Sequence, residues 1–148
     1  MNAKYYPFGA EMATLDLSWF DSPEDEFQLQ RLDESISYLS GRDTDRRDIE
    51  ALLAIFERFP EHDGFGVFWA ILHCLERLPG YEPALLESVR RTPGNFNLLM
   101  IKRMLNSGIT QSGDQSLAEL IQEIADSHHA GERARQIAKR LLPPSGKA

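Results

Sequence analysis

The side chains with the most chemical potential are four histidines, a single cysteine and 23 carboxylates. Cys74 follows His73 inside an apolar stretch. Adjacent helical residues point to different faces, and a nucleophilic thiol needs an electropositive, accessible setting. His73 is therefore expected to be a core histidine rather than half of a catalytic pair. His128-His129 follow Asp126-Ser127 at a predicted helix end, where an imidazolium complements the helix dipole. With no second cysteine and no H-E-x-x-H spacing, no metal site is expected. His62 lies in Glu61-His62-Asp63-Gly64, a string that turn chemistry accounts for. Gly64-Phe65-Gly66 lacks both the preceding strand and the G-x-x-x-x-G-K-[ST] pattern of a phosphate loop. Asp63-Gly64-Phe65-Gly66 shares its letters with a kinase metal loop, but the accompanying kinase motifs are absent. No pair of carboxylates sits in an apolar context that would drive two pKa values apart. The residues predict neither an enzyme nor a bound cofactor.

The carboxylates are unevenly spread. Residues 1–64 carry 15 acids and 6 bases, whereas residues 65–148 carry 8 acids and 10 bases. Some acids have a structural reading, because carboxylates satisfy free N–H groups and oppose the dipole at helix N-termini. Ser22-Pro23-Glu24-Asp25 reads as a helix start, with Ser22 as cap, Pro23 at the first helical position and Asp25 in the capping-box position. Asp45 and Asp48 are placed to do the same for a second helix. Capping leaves Asp16, Asp33, Glu34, Glu57, Glu61 and Asp63 without a role. A negative field over one end of a small domain steers a basic partner. Trp19 and Phe20 stand among Asp16, Asp21, Glu24 and Asp25, and two readings are open for them. Either the aromatic leader, which includes Tyr5, Tyr6 and Phe8, folds back over the helical body, or Trp19 and Phe20 are exposed anchors in an acidic rim.

Seven helical segments must position these residues. Leu29, Leu32, Ile36 and Leu39 give residues 23–40 one apolar face, and Ile49, Leu52, Leu53, Phe56 and Phe59 do so for 45–59. Gly41 and Pro60 read as their stops. Residues 65–78 and 95–106 are apolar nearly all round, Pro83 opens a segment over 83–91 and Asn95 is placed to cap 95–106. Residues 114–127 and 131–142 are amphipathic. No sustained period-2 alternation or Asn-Gly hairpin signal is present. The expected class is all-α, with sequential helices in antiparallel pairs and the last as a cap, forming a short HEAT-like α-solenoid or an irregular bundle.

The 148 residues, 42% of them hydrophobic, suit one domain over 1–148, with 1–22 an irregular leader and 143–148 a loose tail. No apolar run approaches the roughly 20 residues that cross a bilayer, and the acidic start does not read as a signal peptide. A lone cysteine fits a reducing cytoplasm. A net charge of −7 argues against nucleic acid as a partner, because phosphate neutralisation needs surplus cations.

The middle of the chain carries Glu61-His62-Asp63-Gly64-Phe65-Gly66-Val67-Phe68-Trp69, Leu72-His73, Pro79-Gly80-Tyr81-Glu82, Phe96-Asn97-Leu98-Leu99-Met100-Ile101 and Arg103-Met104-Leu105-Asn106. With these motifs, about residues 45–110 resemble bacterial immunity proteins, the cytoplasmic partners encoded beside polymorphic toxins of contact-dependent, Rhs and type VI systems. The resemblance implies a non-catalytic protein that binds a cognate toxin domain and occludes its substrate cleft. Trp19, Phe20, Asp21, Glu24, Asp25, Glu26, Asp33, Glu34, Asp43 and Asp45 are the expected contact residues, facing a basic surface. A helical-repeat adaptor for another protein is the alternative, and an enzyme built on carboxylates not yet paired is a third.

Overall fold

The computed structural model describes residues 15–39 and 43–142. Tyr5, Tyr6, Phe8, the Gly41 stop and the 143–148 tail lie outside the described residues. The helices are α1 (Glu26–Leu39), α2 (Arg46–Arg58), α3 (Val67–Arg77), α4 (Tyr81–Arg91), α5 (Asn95–Asn106), α6 (Leu117–Asp126) and α7 (Glu132–Leu141). A 3-10 turn, Gly64–Gly66, precedes α3. The all-α class holds, and the apolar stripes used to place the first two helices are the ones buried, Leu29–Leu32–Ile36–Leu39 and Ile49–Leu52–Leu53–Phe56.

The expected sequential pairs, α1 with α2, α3 with α4 and α5 with α6, are not the main contacts; apart from α6 on α7, the larger ones join alternate helices. α1 lies on α3, α3 on α5 and α5 on α7, while α2 lies on α4 and α4 on α6. The two series meet where α2 reaches α3 and α5, where α4 reaches α5, and where α6 packs on α7. Alternate-helix contact is the packing order of a two-layer helical repeat, with the core between the layers. Among sequential neighbours, α6 and α7 are packed far more closely than α1 and α2 or α3 and α4. The physical reason is visible in α3 and α5. Helices that are apolar on most faces take contacts from several neighbours, so none belongs to one hairpin partner.

Aromatic rings join the layers at the molecule's first half. Phe56 stacks on Phe96 with centroids 5.2 Å apart, Phe68 meets both at 5.8 Å, and Phe20 meets Phe68 at 6.4 Å and Phe59 at 5.5 Å. Such pairs contribute about 0.5–1.5 kcal/mol each beyond the area they bury.

Several local expectations are corrected. α1 starts at Glu26 rather than at Pro23, and its cap is Asp25, whose Oδ1 accepts from the Phe27 and Gln28 N–H groups at 2.9 and 3.2 Å. Pro23 is instead buried. The Gln28 amide takes over the preceding turn, with its Oε1 accepting from the Asp21 and Ser22 N–H groups at 2.8 and 3.0 Å. The helix at 81–91 begins two residues before Pro83, whose missing N–H costs nothing in a first turn. Gly94, not Asn95, caps α5. A β-carbon there would come within 2.7 Å of Pro60, so the chain crossing demands glycine. Residues 111–116 form a minimal antiparallel hairpin, Gln111–Ser112 against Gln115–Ser116, turned by Gly113 at φ 57°. Its Gly-Asp turn carries the Gly-X form of hairpin signal rather than Asn-Gly. His73 is exposed and its neighbour Cys74 is buried, the reverse of a core histidine.

Candidate functional site

α1 presents its solvent face as a stripe of acids with one aromatic ring near its start. Glu26, Phe27, Gln30, Asp33 and Glu34 are all exposed, and their spacing of 1, 4, 7 and 8 places them on one side of the helix. Phe27 is 83% exposed, the most open large apolar side chain described. None of Glu26, Asp33 and Glu34 makes an ion pair with a described residue; Glu34 accepts only a long 3.5 Å bond from the Gln30 amide. Their charge is therefore not neutralised within the described fold.

Other acids have local employment. Asp45 caps α2 reciprocally with Asp48, and the Asp48 N–H bond holds the Asp45 carboxyl below the ordinary carboxylate range. Asp48 is 2% exposed, a buried carboxylate the sequence reading did not anticipate, and it accepts from the N–H groups of Leu15 and Asp45 at 3.0 and 3.1 Å. Asp16 accepts from the Ser18 N–H, which likewise lowers its pKa. Asp21 accepts from the Gln28 amide at 2.9 Å, and Asp25 is the α1 cap. Glu57 forms a two-point pair with Arg91, and Asp63 accepts from the Phe65 N–H at 2.9 Å. Asp43 is exposed and forms no hydrogen bond within the described residues. Of the acids that capping left without a role, Asp33, Glu34 and Glu61 remain free for a partner.

Trp19 and Phe20 are not the exposed anchors. Phe20 is fully buried, and Trp19 is half-buried, with its indole N–H donating to the Asp16 carbonyl at 3.1 Å and the Arg31 guanidinium 4.3 Å above its ring. The covering reading of the leader holds for residues 15–20. Arg58 of α2 donates to the carbonyls of Phe20 and Leu17 at 2.6 and 3.1 Å, and those bonds pin the segment so that Phe20 drops into the core. Phe27, absent from the expected contact set, is the aromatic of α1 that faces solvent.

A second exposed aromatic group lies at the start of α3. Phe65 is 65% exposed and Trp69 is 41% exposed, with Trp69 in edge contact with the buried Phe96 at 5.6 Å. The turn that carries Phe65 is left-handed at three consecutive residues, with φ values of 63°, 49° and 92° at Gly64, Phe65 and Gly66. A β-carbon on Gly64 would meet the Phe68 ring at 2.2 Å, so close packing as well as φ requires glycine there. His62 braces the turn: its Nδ1 accepts from the Gly64 N–H at 2.8 Å, which places the ring proton on Nε2, where it donates to Glu24 at 2.7 Å. The His62 ring stands edge-on to Phe65 at 5.5 Å. Turn chemistry thus explains only part of His62, since it also ties the approach to α1 to the approach to α3. The sequence signal was the bulky residue between two glycines, which reads as a turn with its side chain displayed.

Among the described residues are surface cavities of about 310 and 280 Å³, the second of which reaches Pro60 and Glu61 beside this turn. In the first, Glu76 and Arg103 are locked in a two-point ion pair at 2.7 and 2.9 Å. In the second, Arg91 is held by Glu57. Among the described residues no three His, Cys, Asp or Glu side chains gather as a metal site would require, and no helix is long and apolar enough to cross a membrane. No family model, curated protein or solved structure matches the chain.

Proposed function

We propose that this chain is an immunity protein that works in the cytoplasm by binding a cognate bacterial toxin domain and occluding its active or substrate-binding cleft, without catalysing a reaction itself. The observation that carries the reading is the α1 face. Glu26, Asp33 and Glu34 are exposed, lack ion-pair partners among the described residues and share one side of the helix with the exposed Phe27. Unneutralised carboxylates on the same helix side as an aromatic ring form a surface that is attractive to cations and partly apolar, which suits a basic protein cleft. A toxin that acts on nucleic acid has such a cleft, and the carboxylates would stand where phosphates bind. The resemblance over residues 45–110 supports the class of partner.

Alternate-helix packing favours a second reading, a helical-repeat adaptor for some other protein. Co-expression with the toxin domain encoded beside the gene distinguishes them. An immunity protein restores growth, copurifies with the toxin at one copy each, and loses protection when it is substoichiometric. Protection at substoichiometric amounts would reveal an enzyme, and growth arrest despite soluble expression of both chains would leave the adaptor.

A further inference from the structure

We propose that Phe65, displayed on its left-handed turn with Trp69 beside it along the chain, is an apolar anchor that seats in a pocket bordered by Arg or Lys on the same toxin domain. The inference rests on the immunity reading and adds a contact that the acidic α1 face does not supply.

Three observations converge on it. First, the backbone at Phe65 is one that bulky residues avoid. Its φ of 49° lies in the left-handed region, where an L-residue with a side chain costs about 1–2 kcal/mol, and a third glycine would satisfy the turn without that cost. A disfavoured conformation persists when surrounding bonds over-determine it, and such outliers cluster at functional surfaces. Here the bonds are the Gly64 N–H to His62 Nδ1 and the Phe65 N–H to Asp63 Oδ1. Second, the strain does not serve the core. Phe65 remains 65% exposed, and its described ring contact is the edge of His62. Third, the surroundings are anionic. Asp63 and Glu61 flank the turn in sequence and are exposed, and Glu24 is held against it through His62. An aromatic ring on a turn that also carries carboxylates complements an apolar pocket with a cationic border.

The Glu24–His62 bond ties this turn to the approach to α1, the helix that carries the proposed acidic face.

The test measures binding kinetics of the purified full chain against the toxin domain that the wild type neutralises. The variants are F65A, F65G and the triple reversal E26K/D33K/E34K, with thermal melting alongside. F65A and F65G are expected to raise the dissociation rate by about 30-fold, the equivalent of a 2 kcal/mol hot spot, with the salt dependence of association unchanged. F65G is expected to melt above F65A, the reverse of their order in ordinary helix or strand, because only the left-handed turn prefers glycine. Wild-type dissociation rates in both Phe65 variants would overturn the anchor. If the triple reversal still slows association in that case, the immunity reading stands alone. A chain that neutralises no toxin sinks both.

Discussion

Asn97 shows how much one buried polar side chain can carry. It has no solvent exposure, its Oδ1 accepts from the Gly94 N–H at 2.8 Å, and its Nδ2 donates to Ser88 Oγ and to the Thr92 carbonyl at 3.1 and 3.0 Å. The residue ties the end of α4 to the start of α5 and satisfies the turn between them. Asn97→Ala would strand those groups in the core, where each orphaned partner costs about 1–3 kcal/mol. The expected loss is about 2–4 kcal/mol by urea unfolding, with the slope unchanged. By contrast, the pair Arg46 with Glu87, which joins α2 to α4 with both side chains about half open to solvent, contributes at most about 1 kcal/mol. Asn97 was legible only as part of an apolar segment, since nothing in its neighbours says that an amide is needed inside.

The ends of the elements were harder to read than the elements themselves. Asp45 capping α2 followed from its spacing to Asp48, and the structure reproduces it. Its carboxyl pKa is depressed in the fold by the Asp48 N–H bond, so the charged form is favoured when folded. The stability it contributes is fully present above the ordinary carboxylate value and is lost as pH falls through the depressed folded value. Asp45→Ala should lower the urea midpoint at neutral pH and close the gap to wild type in acid below that window. At α1 the same reasoning picked Ser22 and Pro23, because a Ser-Pro-Glu-Asp string satisfies the local rules three residues too early. Leu15, Leu17 and Phe20 are bonded to α2, the Asp21 and Ser22 N–H groups are taken by Gln28, and the cap falls to Asp25, so the helix starts at Glu26. Arg58→Ala, which removes the bonds to Leu17 and Phe20, is expected to cost about 1–2 kcal/mol and to raise amide exchange over residues 15–20 before the rest of the fold opens.

For the whole molecule, the charge imbalance is the feature with the longest reach. The net of −7 conceals an acidic first part and a slightly basic remainder, and local caps and ion pairs consume only some of the acids. On the proposed reading, reversing Glu26, Asp33 and Glu34 should slow association with a cognate toxin domain by on the order of tenfold at low salt and flatten its ionic-strength dependence, while melting stays close to wild type. Stopped-flow mixing at two salt concentrations checks it, and equal rates for variant and parent would remove α1 from the interface.

Helix number, the buried stripes of α1 and α2 and the acidic bias were all determined by the sequence alone, because periodicity and composition are properties of neighbours along the chain. Which aromatic stands in water was not. Trp19 and Phe20 sit in the same acidic context as Phe27, yet Phe20 is buried and Phe27 is 83% exposed. The difference comes from Arg58, 38 residues on, holding the Phe20 carbonyl against α2. Exposure is set by what a distant segment covers, and only tertiary packing supplies that segment.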